Sequence, residues 1–253
     1  MMANNDVHFV MQEKGGVGKT LVAYFLAQYL REKCDAADLL CFDIDASNNS
    51  LARFRGLNVR ALDLVENGEI PQEKFHPIFN ELFGSDQPLV VDIGTSAVIA
   101  FLDFAVKMGL FEQIAADLGR RLFVHVVLMG GAEAEDTLES FKGIGGALPA
   151  APGMAFLVPW CNPYHGKVIF DGDMSLKDTV IYKSLDEKGT LTEPIEIPER
   201  GAAFARTLNK ITRDGLTFAD AKQEKSLDFA EKHIVEQIRK GLYAEISAKL
   251  PQL

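Results

Sequence analysis

Seven residues constrain this chain more than any other feature: Lys14-Gly-Gly-Val-Gly-Lys-Thr20, set between the apolar runs VHFVM at 7–11 and LVAYFLAQYL at 21–30. Glycines 15, 16 and 18 let the backbone come close to a phosphate. A helix starting near Gly18 aims its unpaired N–H groups and positive dipole end at the same place. Lys19 supplies charge to the terminal phosphates and Thr20 a hydroxyl to a magnesium ion, so the segment from Gly15 through Val17 to Leu21 reads as a nucleotide cradle. The six specified residues arise by chance on the order of once per 10⁷ starting positions. A strand, a tight phosphate loop and a buried helix in that order also open an α/β sheet.

The rest of the chain extends that sheet. The runs VHFVM, DLLCF, PLVVDI, LFVHVVLM and MAFLVPW lack period-two alternation, as strands buried on both faces do, and helix-like segments separate them. The expected fold is α/β, a doubly wound and mainly parallel sheet with helices on both faces. Helices are expected at 19–31, 72–82, 97–118 with a break near Gly109, and 133–141. The Pro/Gly/Ala-rich stretch GIGGALPAAPG at 143–153 reads as a loop, too short for an interdomain hinge. Ile234, Ile238, Leu242, Ile246 and Leu250, with Val235 beside them, put one apolar stripe on a helix at about 227–249, expected to dock on the core. The reading is one domain over residues 1–253.

Two further strand ends carry carboxylates. Asp43 and Asp45, two residues apart, share one side of the chain at the carboxyl end of a strand, where open α/β sheets bind ligands. A carboxylate there can position an attacking water or hold Mg²⁺ through water, although either residue alone also suits a loop cap. In PLVVDIGTS, a buried strand ends in Asp92, suited to the water shell of Mg²⁺, and Gly94 could sense a γ-phosphate through its N–H. Glu13 stands where the general phosphate-loop pattern has its first glycine. A carboxylate facing a polyphosphate would be repelled, so its side chain is expected to point away.

The loop K-G-G-x-G-K-T resembles that of the ParA/MinD-type ATPases, whose opening position tolerates other residues. The resemblance implies ATP and Mg²⁺ as ligands and slow ATP hydrolysis within an ATP-dependent homodimer. Lys14 would be the signature lysine that reaches the partner's nucleotide, working with Lys19. Asp45 would orient the water with Asp43 in support, and Thr20, Asp43 and Asp92 would serve the metal. It further implies that Asn162, at the end of MAFLVPWCN, touches adenine, and that Pro198 in IEIPERG contributes backbone around the base. His165 stands where a guanine-reading N-K-x-D motif needs Asp, favouring ATP over GTP. LNVRALDL, VHVVLMGG, WCNPYHG and DGLTFADA are similar to landmarks of the TraL-type branch from broad-host-range plasmids. That similarity implies a cytoplasmic ATPase assisting conjugal transfer or plasmid stability, with transfer or partition proteins as partners and DNA binding left open.

The net charge of -10 disfavours wholesale attraction to nucleic acid or anionic lipid without excluding a local basic patch. No apolar run reaches the roughly 18 residues that span a bilayer, so no stable membrane insertion is expected. Three cysteines, none in a C-x-x-C pair, suggest reduced and mostly buried thiols. The five histidines make no metal pattern, and His125 in an apolar strand reads as a core imidazole. Two other functions stay open. One is a ligase-type enzyme for a small molecule on the same scaffold. The other is a nucleotide-binding adaptor without significant turnover, meeting partners through surface such as Arg53, Arg55, Arg120 and Arg121.

Overall fold

The computed structural model describes residues 5–34, 36, 38–45, 50–198 and 201–253. Among the described residues seven strands form one sheet: β1 (Val7–Met11), β2 (Leu40–Ile44), β3 (Arg60–Ala61), β4 (Leu89–Ile93), β5 (Leu122–Met129), β6 (Ala155–Asn162) and β7 (Ile195–Glu196). Their order is β3-β2-β4-β1-β5-β6-β7, and every pairing is parallel. Every residue of β1, β4 and β5 is buried. Neither face of the pleat meets water, which is why these strands are written as continuous apolar runs. All five expected strands are present. The two-residue edge strands β3 and β7 are too short to leave a periodic signal.

In chain order the helices are α1 (Lys19–Lys33), α2 (His76–Gly84), α3 (Thr95–Met108), α4 (Leu110–Glu112), α5 (Ala134–Ala147), α6 (Val180–Asp186), α7 (Gly201–Arg213), α8 (Phe218–Gln223) and α9 (Phe229–Lys249). One core lies between the sheet and α2 to α6, the other between the sheet and α1, α7, α8 and α9. The pattern over 97–118 divides as expected at Gly109, whose left-handed φ of 60° caps α3. The pattern at 72–82 starts as a 3-10 turn, Gln72–Phe75, before α2.

The loop expected at 143–153 requires correction, because α5 runs on through Gly143, Gly145 and Gly146 to Ala147. A Cβ on Gly145 would stand 2.7 Å from Leu157 Cδ2 and 2.9 Å from Leu185 Cδ2. Glycine is therefore what lets α5 seat against β6 and α6, and burial of Phe141 and Ile144 offsets its weak helix propensity. At the other end of the chain α9 docks as its stripe requires, with Val235, Ile238, Leu242, Ile246 and Leu250 all at most 2% exposed. It begins two residues later than the stripe suggests because Asp228 and Glu231 form a reciprocal capping box.

Two buried polar clusters tie the strands together. Arg120, 1% exposed, spends its guanidinium on the carbonyls of Asn5, Leu82, Ser85 and Gln87. Arg121 pairs with Asp6 at 2.6 Å. Neither is the partner surface that the sequence suggested, and of those four arginines Arg53 and Arg55 are the exposed ones. His125 is the expected core imidazole: Trp160 Nε1 donates to its Nδ1 at 2.9 Å, and its Nε2 lies 3.0 Å from His8 Nδ1. An indole only donates, so His125 carries its proton on Nε2 and donates to His8. His8 is then protonated on Nε2, an atom without a hydrogen-bond partner among the described residues.

Candidate nucleotide site

Because all strands are parallel, the loops after β1, β2 and β4 leave the sheet on the same edge and close on one another. Gln12 starts the first of them. It is fully buried, and its Nε2 donates to the carbonyls of Val127 at 2.8 Å and Thr137 at 3.1 Å, so the loop is moored to β5 and α5. Glu13 is exposed and turned out of the cavity as its charge demands, while its amide donates to Ser140 Oγ at 3.2 Å. Gly18 has φ 102°, and a Cβ there would lie 2.9 Å from Asn162 Nδ2. Glycine is thus required both by the turn into α1 and by the residue beneath it.

A cavity of about 630 Å³ opens above this loop. Gly15, Gly16, Gly18, Lys19, Thr20 and Leu21 form one wall, and Asp45, Ser50, Arg53, Thr95 and Ser96 close it. The Lys19 ammonium, on a side chain 8% exposed, donates to Lys14 O at 3.0 Å and Thr95 Oγ1 at 2.6 Å. Burial lowers its pKa, and the nearby Asp92 and Asp45 charges oppose that fall. Thr95 and Ser96 open α3 directly after Asp92-Ile-Gly, so two residues that sequence reasoning passed over face the phosphate loop. Their only signal was adjacency to the Asp92 strand.

Asp92 is 2% exposed, and its Oδ1 has no hydrogen-bond partner among the described residues. Burial pushes its pKa up to about 7; the Thr20 hydroxyl, bonded to the carboxylate, and Lys19 pull it down, while Asp43 and Asp45 push it further up. An orphaned, desolvated carboxylate oxygen beside a threonine hydroxyl fits a hard cation that takes its remaining ligands from phosphate and water. Among the described residues no group of three or more acidic, His or Cys side chains could hold a metal ion by itself. Mg²⁺ shared with a polyphosphate suits such a sparse protein donor set.

Asp43 and Asp45 diverge despite their common spacing. Asp43 is fully buried, and both its oxygens accept backbone amides, Oδ1 from Asp45 at 3.2 Å and Oδ2 from Leu51 at 2.7 Å and Ala52 at 3.1 Å. Through these three amides it holds the loop. Asp45 faces the cavity. Gly94 packs on it so closely that a Cβ at 94 would come within 2.5 Å of Asp45 Cγ, and the Gly94 amide donates to Ile44 O at 3.3 Å. The loops after β2 and β4 are in this way coupled.

Lys14 points to the other side of the loop, where Glu133 at 2.5 Å and Asp136 at 2.8 Å hold it from the start of α5. Those ion pairs raise its pKa. Asn162 lies under the phosphate loop, donating to Val17 O at 2.8 Å and accepting from the Tyr164 amide at 3.2 Å. Neither Asn162 nor Pro198 lines the phosphate cavity. Glu199 and Arg200 of IEIPERG lie outside the described residues.

The chain is 28% identical over 246 residues to Protein TraL of Escherichia coli, covering 96% of this chain and 97% of that protein. A second Protein TraL of Escherichia coli is 27% identical over 244 residues. The chain is thus similar to TraL proteins over nearly its whole length. Its glycine loop, set between β1 and α1 of an all-parallel sheet, has the form of a P-loop. No protein-family model matches it. Among solved structures it is similar to a ParA family ATPase from Chlorobium tepidum TLS, 14% identical with TM-score 0.47, covering 93% of this chain and 98% of that one. It is also similar to a plasmid partition protein from Borrelia burgdorferi B31 bound to AMPPNP, 15% identical with TM-score 0.44, covering 93% and 97%. The fold assignment rests on the all-parallel strand order of this chain itself. No helix among the described residues is long and apolar enough to cross a membrane.

Proposed function

We propose that this chain is a slow, nucleotide-switched ATPase that dimerises on ATP and assists conjugal transfer of a plasmid, acting in the cytoplasm. The observation that carries the reading is the meeting of Lys19, Thr20, Asp45 and Thr95 around the glycine loop with Asp92, whose Oδ1 has no hydrogen-bond partner among the described residues. The plasmid setting is supported by the TraL name of both relatives.

In this reading the amides from Gly15 to Leu21 and the Lys19 ammonium hold the β- and γ-phosphates. Thr20 and Asp92 would hold Mg²⁺, which would supply charge neutralisation at the phosphate oxygens. Asp45 accepts a hydrogen bond from a water and lines it up with the γ-phosphorus. The water oxygen bonds to phosphorus, the bridging bond to the β-phosphate breaks, and the water proton leaves with the released phosphate. Lys14 exchanges Glu133 and Asp136 for the partner's nucleotide. Exposed ion pairs are weak enough for a phosphate to displace them.

The test is light scattering of the full chain with Mg²⁺ and ATP, alongside calorimetry. The wild type should bind Mg-ATP and shift from monomer to dimer. Lys19→Ala should lose binding, whereas Lys14→Ala should bind as a monomer. A wild type that stays monomeric at saturating Mg-ATP would remove the dimer switch from this reading, and one that registers no heat of ATP binding would remove the nucleotide.

A further inference from the structure

The phosphate cavity continues past the glycine loop. Arg53 stands in its wall and also lines an adjoining cleft of about 190 Å³ formed with Thr20, Leu21, Phe54 and Leu208. Its guanidinium carbon lies 5.1 Å from the Phe54 ring centroid, and it makes no ion pair among the described residues. An exposed arginine on a loose loop would be an ordinary solvated charge, but this loop is held on three sides. The amides of Leu51 and Ala52 are bound by Asp43. Phe54 is buried and packs on Tyr24 of α1, ring centroids 4.4 Å apart. The Arg53 carbonyl sits so near Gly215 that a Cβ there would come within 2.6 Å of it.

Charge argues in the same direction. Glu133 and Asp136 draw Lys14 away, so Lys19 is the one loop lysine turned toward the cavity, where it already faces Asp45 and Asp92. A polyphosphate adds further negative charge, toward which this subunit's loop turns a single ammonium and a helix terminus beside any bound Mg²⁺. A guanidinium in the cavity wall, backed by an aromatic ring and without an ion pair among the described residues, is shaped for bidentate contact with phosphate oxygens.

We propose that Arg53 is the second phosphate-binding cation of this site, supplied in cis by the loop that Asp43 anchors. The proposal rests on the nucleotide reading above and adds that a lone subunit grips polyphosphate with Arg53 as well as Lys19. Calorimetry of Mg-ADP and Mg-ATP binding to full-length wild type, Arg53→Ala and Arg53→Lys tests it, each protein first melted without nucleotide. Arg53→Ala should melt like the wild type yet bind both nucleotides about tenfold more weakly or worse. Arg53→Lys should recover part of the loss, because it keeps the charge and loses the fork. Should Arg53→Ala melt normally and bind Mg-ATP as tightly as the wild type, the proposal is overturned while the nucleotide reading stands. Should the wild type bind neither nucleotide, both fall. If Arg53→Ala fails to fold, the folded Arg53→Lys variant decides, with wild-type affinity for both nucleotides counting against phosphate contact and a selective loss supporting it.

Discussion

Burying Asp92 near Asp43 and Asp45 sets stability against binding at a single residue. Its folded-state pKa, about 7 against an ordinary 3.8, means the folded chain prefers the protonated acid. The ionised form therefore costs stability, fully above pH 7 and not at all below about 3.8. Asp92→Asn should raise the unfolding free energy of the nucleotide-free protein by roughly 1–4 kcal/mol at pH 8 and by less at pH 5, read from urea melts. The same variant should lose the extra stability that Mg-ATP gives the wild type, because its amide cannot supply the anionic oxygen the metal takes. Residue-level legibility was uneven for physical reasons. Lys19 and Thr20 are encoded by local spacing, since loop and helix lie within a few residues. Gln12, Thr95 and Arg53 earn their places through partners or walls far along the chain, and Lys14 is held by carboxylates about 120 residues away.

At the scale of elements, α5 separates propensity from packing. Gly145 meets Leu157 and Leu185, whereas a Cβ on Gly143 or Gly146 would find nothing within 4 Å. Gly145→Val should cost about 1–3 kcal/mol by overpacking, while Gly143→Ala or Gly146→Ala should stabilise by roughly 0.5–1 kcal/mol. Urea denaturation of the three variants checks both signs. The glycine and proline content that suggested a loop was a correct statement about local preference. It failed because tertiary burial of Phe141 and Ile144 outweighs a few weak helix formers. In α9 stripe and burial agree, and the helix was legible from its apolar period alone.

Across the whole molecule, the His8, His125 and Trp160 chain joins β1, β5 and β6 through the middle of the sheet. Burial depresses both imidazoles, His125 to about 3 and His8 well below its usual value. Their stabilising contribution is whole above the unfolded value near 6.5 and is lost as pH falls below it, at up to about 1.4 kcal/mol per pH unit for each ring. Asp92 works in the opposite direction over the same range. His8→Gln keeps an acceptor for His125 but takes no proton, so it should flatten the fall in unfolding free energy between pH 6.5 and 5; an unchanged slope in denaturant melts would dismiss His8 as its source. The phosphate loop, the buried parallel strands and the docked carboxyl-terminal helix are written into local spacing, because each follows from a pattern within about twenty residues. Long-range packing is what makes Asp43 hold a loop while Asp45 faces the cavity, pairs Lys14 within its own subunit, buries Arg120 in the core and puts Arg53 in the wall of the site. Those outcomes depend on which distant backbone groups and charges the parallel sheet brings to one edge, and local pattern carries no record of them.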